Sequence, residues 1–63
     1  MDNNDFFSVE EVARRLALKE ETIRTYIREG SLDAYRFGNV LRIRSDDFEK
    51  FVQERRIKRS EEK

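Results

Sequence analysis

Apolar positions fall into three short helical stripes and one stretch of alternation. Val9, Val12, Ala13 and Leu16 recur at i, i+3, i+4 and i+7. Ile23, Tyr26 and Ile27 repeat the spacing, and so do Phe48, Phe51 and Val52. Each set places its members on one side of a helix. Between the second and third stripes, Leu32-Asp33-Ala34-Tyr35-Arg36-Phe37 and Val40-Leu41-Arg42-Ile43-Arg44 flank Gly38-Asn39, the composition of a hairpin tip. The predicted order is helix, turn, helix, hairpin, helix: a mainly α chain with a small β-hairpin.

End signals sharpen these elements. Ser8 followed by Glu11 is a capping-box pattern, and Phe7 and Val12 stand at the N′ and N4 positions of a hydrophobic staple, so the first helix is expected to begin at Ser8. Ala17-Leu18-Lys19 is too short for a structured loop and must turn the chain into a second helix over about Glu20 to Glu29. Gly30 then suits the left-handed position that closes a helix. Ser45 is expected to cap the third helix, with Asp46 and Asp47 where a helix dipole favours negative charge.

The hairpin admits two registers. A loop of Gly38-Asn39 alone pairs Phe37 with Val40 and splits the arginines between the two faces of the ribbon. A loop extended through Val40 pairs Phe37 with Leu41, Arg36 with Arg42 and Tyr35 with Ile43. The longer loop puts Tyr35, Phe37, Leu41 and Ile43 inward and Arg36, Arg42 and Arg44 outward, and is preferred for that separation. Three arginines on one face repel one another unless an anion screens them, and phosphate is the natural anion.

Composition narrows the chemistry. A chain of 63 residues allows one domain with a small core. It contains no cysteine and no histidine, which removes disulfides, thiolate metal sites and the commonest general base. Asp46 and Asp47 are adjacent acids, but neighbouring helix residues point about 100° apart and no partner ligand accompanies them. No catalytic or metal-binding residue is expected. No apolar run approaches the ~20 residues of a membrane span, and the acidic start is unlike a signal peptide. A soluble, cytoplasmic protein with no membrane partner is expected.

Fourteen basic and fourteen acidic residues give no net charge, yet the distribution is uneven. Up to Ala13 there are four acids and no base, whereas from Arg14 to Arg44 eight bases face four acids. A charged partner would therefore meet the second helix and the hairpin. On that helix Glu21, Arg24, Thr25 and Arg28 lie opposite the apolar stripe. The face has the chemistry to read a major groove: arginine to guanine O6 and N7, threonine to a thymine methyl or phosphate, glutamate to cytosine N4. The competing reading is a solvent face laced by Glu20–Arg24 and Glu21–Arg24 pairs. Arg14 and Arg15 allow the same two readings, phosphate contact or solvated charge. So does the basic run from Arg55 onward.

Over about Phe6 to Gln53 the sequence also resembles the excisionase-type helix-turn-helix domains, related to the winged DNA-binding domain of the MerR regulators. Phe7-Ser8-Val9-Glu10-Glu11-Val12-Ala13-Arg14-Arg15-Leu16 resembles the opening helix of that family. Thr22-Ile23-Arg24-Thr25-Tyr26-Ile27-Arg28-Glu29-Gly30-Ser31-Leu32 resembles its recognition helix, and Ala34-Tyr35-Arg36-Phe37-Gly38 with Leu41-Arg42-Ile43-Arg44-Ser45-Asp46-Asp47-Phe48 its wing and next helix. The resemblance implies a winged helix-turn-helix (α-turn-α-β-β-α) over residues 6–56, between a disordered N-terminus at 1–5 and a charged tail at 57–63.

It further implies sequence-selective binding of double-stranded DNA, with no cofactor. Glu21, Thr22, Arg24, Thr25 and Arg28 would serve as recognition-helix contacts. Arg36, Gly38, Asn39, Arg42 and Arg44 would serve as wing contacts, with Arg42 foremost, and Arg14, Arg15 and Lys19 as weaker ones. Leu18 would be a buried turn residue, and Ile23, Ile27, Leu32 and Ile43 core. The sequence departs from the family at Ala17, where glycine is usual, and at Lys19, where a small polar cap is usual. Three functions follow as expectations: an excisionase-like directionality factor that bends DNA and assists an integrase, a small MerR-like transcriptional regulator, or a protein-recognition module. Self-association on DNA is expected for a unit that covers one short half-site.

Overall fold

The structure, a computed structural model, describes residues 5–57. Residues 1–4 and 58–63, which hold most of the expected disordered start and charged tail, lie outside the described residues. The elements are β1 (Phe6–Ser8), α1 (Val9–Leu16), α2 (Glu20–Glu29), β2 (Tyr35–Phe37), β3 (Val40–Arg44) and α3 (Ser45–Glu54). The strands form one antiparallel sheet in the order β1-β3-β2. The winged helix-turn-helix is therefore present, with a third strand added to the hairpin.

The capping box starts α1. Glu11 N–H donates to Ser8 Oγ at 3.0 Å, and Ser8 N–H donates to Glu11 Oε1 at 3.0 Å. That satisfies two amides that would otherwise have no helical partner. Ala17 ends α1 in the left-handed region, with φ 58°, while the Leu18 amide donates to the Ala13 carbonyl at 2.8 Å. An alanine there carries the Cβ penalty a glycine avoids. This reversal leaves Leu18 43% exposed, so the buried position implied for it is corrected. Gly30 closes α2 as expected, with φ 85°.

The core is small and lies between the helices and one face of the sheet. Val9, Val12, Ala13, Ile23, Leu32, Ile43 and Phe51 are buried, and Phe7, Leu16, Tyr26, Ile27, Leu41 and Phe48 pack against them. Phe7 meets Phe48 edge-on with centroids 5.5 Å apart, which ties β1 to α3. Tyr26 meets Phe51 at 5.2 Å and ties α2 to α3. Val52, expected on the apolar face of α3, is 37% exposed.

The hairpin register differs from the preferred one. Phe37 pairs with Val40, Arg36 with Leu41 and Tyr35 with Arg42, so the loop is Gly38-Asn39 alone. Gly38 takes φ 65°, the sign a II′ turn requires at its first central position. Side-chain alternation then fixes the faces. Leu41 and Ile43 turn inward with Arg36 beside them, while Tyr35, Phe37, Val40, Arg42 and Arg44 turn outward. Tyr35 and Phe37 thus leave the core, and Arg36 parts from the other two wing arginines.

The reason is β1. Phe7 opposes Ile43 and Phe6 opposes Arg44, so Phe7 fills the inner face that Tyr35 and Phe37 were expected to fill. On the outer face Phe6 meets Tyr35 and Phe37 edge-on at 5.7 and 5.9 Å. β1 also changes the start of α3. Asp5 carbonyl accepts from the Ser45 amide at 2.8 Å, Arg44 is the N-cap residue and Ser45 is the first helical one. The Ser45 cap expected from sequence is thus corrected by one position.

Candidate nucleic-acid interface

Helix α2 presents Glu20, Glu21, Arg24, Thr25 and Arg28 away from Ile23, which is fully buried. This polar face is bonded to itself. Arg24 Nη2 lies 3.6 Å from Glu20 Oε1, and Arg28 Nη2 lies 3.8 Å from Glu21 Oε2. Arg28 also donates to Thr25 Oγ1 at 3.2 Å, and that hydroxyl donates to the Glu21 carbonyl at 3.0 Å. Glu20 and Glu21 occupy the first turn, where the helix dipole favours them. Exposed pairs of this kind contribute only about 0.2–1 kcal/mol. These pairs therefore hold the arginines only weakly.

The corrected register gives α2 a neighbour. Arg36, on the inner face of the wing, lines one shallow depression with Arg24, Ile27, Arg28 and Leu41. Three arginine side chains from two elements thus line it. A second depression, against the N-terminal ends of α1 and α2, is lined by Ser8, Glu10, Glu20, Arg24, Asn39 and Arg42 among others. Arg24 borders both. The two hollows follow the seam between α2 and the wing, and Glu10 and Glu20 restrict the positive character to the Arg36 end.

The outer wing arginines are held differently. Arg42 is half-buried, and its Nη1 donates to the Leu41 carbonyl at 2.8 Å. Arg44 is raised above its ordinary pKa, first by a hydrogen bond with Tyr35 and then by the nearby charges of Tyr35, Asp46 and Asp47, against some desolvation. Its Nη2 lies 3.4 Å from Asp46 Oδ2. Arginine is charged throughout the physiological range in any case.

The remaining predicted contacts scatter. Arg15 stacks its guanidinium 4.3 Å from the Phe7 centroid, a cation–π contact within the protein. Arg14 lies with Arg15 and Glu11 at a separate hollow. Lys19 is the N-cap residue of α2 and makes no side-chain cap. Thr22 is half-buried near the start of α2, while Gly38 and Asn39 are exposed at the wing tip. Arg55, read in sequence only as the start of the basic tail, places its guanidinium 3.8 Å from the Phe51 centroid and 5.3 Å from that of Tyr26. Aromatics spaced along α3 and a following arginine were the available signal. The placement of Ser8 and Glu10 beside Arg42 depends on β1 and had none.

Among the described residues no His, Cys, Asp or Glu group is arranged to hold a metal, and no helix is long and apolar enough to cross a membrane. A family model described as a helix-turn-helix domain matches residues 6–56. No curated protein matches the chain.

Proposed function

Because the chain belongs to the excisionase-type helix-turn-helix family, whose domain supports sequence-specific DNA binding, we propose that it acts as a recombination directionality factor. In this reading α2 lies in the major groove. Arg24, Thr25 and Arg28 meet base edges, with Glu21 and Thr22 at the entry. The wing lies alongside, with Arg36, Arg42 and Arg44 on phosphates and Gly38-Asn39 at the adjacent minor groove. Residues 6–56 form the DNA-binding unit of a cytoplasmic protein, and Arg14, Arg15 and Lys19 add weaker phosphate contacts.

The observation that carries the reading is the convergence of Arg24 and Arg28 with Arg36 in one depression between helix and wing. Arg24 and Arg28 are held there only by exposed pairs with Glu20 and Glu21, and Arg36 adds a further positive charge beside them, so the hollow suits an anion such as a duplex phosphate. Several copies on neighbouring sites would bend the duplex and bring an integrase into its excisive arrangement, as architecture without chemistry. The test is excision in vitro with a purified integrase and its attachment-site DNA. Stimulation by wild type, and loss with Arg24→Ala plus Arg28→Ala, is the expected result. Binding without any effect on excision would transfer the protein to the transcriptional reading, checked by promoter occupancy.

A further inference from the structure

The outer face of the wing remains unexplained by phosphate binding. Phe37 is 55% exposed, and its cross-strand partner Val40 is 42% exposed. They flank the Gly38-Asn39 loop, so the last rung of the hairpin below its tip is an apolar pair. Phe6 braces this tip: its ring meets Phe37 at 5.9 Å and Tyr35 at 5.7 Å, both edge-on. Phe37 is therefore a ring held in place while exposed. A solubilising surface would have no use for that arrangement.

Resting on the DNA-binding reading above, we infer that Phe37 and Val40 form an apolar wedge that enters the minor groove and bends the duplex. Charge supports this occupant. The outward residues of the three strands include Arg42 and Arg44 and no carboxylate, with Asp46 beside Arg44 only at the end of β3 far from the tip, whereas two copies meeting face to face near the tip would set their Arg42 side chains against one another. Spacing supports it too. Arg42 stands two residues behind Val40, about 7 Å at strand rise. The minor groove is about 7.5 Å deep. With the Gly38-Asn39 loop at the floor, Phe37 and Val40 stand within the groove, and Arg42, about 10 Å from Asn39 at strand rise, lies just above the rim beside the phosphates.

Width explains the bend. A minor groove about 6 Å across does not admit two strands about 4.8 Å apart with a phenyl ring. Entry must open the groove, and a wedge that does so kinks the helix toward the major groove, where α2 lies. Pyrimidine–purine steps yield most easily, and the narrow groove of an A-tract resists. The wing would then select DNA by its deformability at a position α2 does not touch.

The experiment measures bend by energy transfer between dyes at the ends of a single-site duplex, with binding titrated at two salt concentrations. Wild type should bend a site carrying TA at the wing position by about 20° or more. Phe37→Ser and Val40→Ser should straighten it and weaken binding about fivefold, the effect of one partly buried apolar side chain. The salt dependence should stay as in wild type, because no charge is removed, and Phe37→Leu should keep most of the bend. Unchanged bending in both serine variants overturns the wedge while leaving DNA binding intact. So does a loss seen only on two-site duplexes, which would assign the patch to a neighbouring copy. Failure of wild type to bind any duplex overturns the DNA reading and the wedge with it.

Discussion

The two faces of the three-stranded sheet use the same alternation to opposite ends. Inward, Phe7, Leu41 and Ile43 close the core, and Ile43 is completely buried. Outward, Phe6, Tyr35, Phe37 and Val40 stay more than 40% exposed, flanked by Arg42 and Arg44. Aromatic content does not distinguish the faces. What distinguishes them is what stands opposite: helices on one side, solvent or a ligand on the other. The inner face specifies the fold, and the outer face is free to serve binding.

The largest test of this contrast is thermodynamic. Ile43→Ala should destabilise by about 2–4 kcal/mol, most of the stability available to a domain of this size, whereas Val40→Ala should stay within about 1 kcal/mol. Urea unfolding followed by circular dichroism reads both, and similar losses would erase the contrast. Next in size is Arg28→Ala. It should cost about 1–3 kcal/mol of discrimination at one base pair while leaving non-specific affinity nearly unchanged, as competition between site variants would show.

Arg36 and Arg42 should then behave as phosphate contacts from opposite faces. Arg36→Gln should weaken every duplex and lower the salt slope by about 0.9. In the free protein it should leave stability unchanged or slightly raised, because it relieves repulsion with Arg24 and Arg28. A loss of stability would mean that Arg36 is part of the packing. Smallest of all, Tyr35→Phe removes the hydrogen bond that orients Arg44 and should leave the melting temperature where it was. A clear drop would make the outer face a structural element after all.

Much of the fold was legible because its signals are local. Ser8 and Glu11 sit three residues apart and cap one another, Gly30 needs no distant neighbour to turn, and the apolar stripes of α1 and α2 are read within two turns. The register was not legible, since it depends on β1, a three-residue strand too short to show alternation. With Phe7 assigned only to a staple, Tyr35 and Phe37 were left as the apparent inner face, and Arg36 was grouped with Arg42 and Arg44. Leu18 failed for a related reason: its exposure follows from the left-handed Ala17, which alanine does not announce. On the polar face of α2 the Glu20–Arg24 pair was legible in sequence, whereas Glu21 pairs with Arg28 and not with Arg24.

The central claim is that helix and wing grip duplex DNA together, with the wing supplying sequence-independent attraction. Its most direct test is equilibrium binding of wild type and Arg42→Ala to labelled duplexes from the DNA flanking the gene, each at two salt concentrations. Wild type should bind in a salt-dependent manner. Arg42→Ala should lose affinity equally for every sequence, with a log–log salt slope flatter by about 0.9. Binding that ignores salt, or a loss confined to one sequence, would contradict the account.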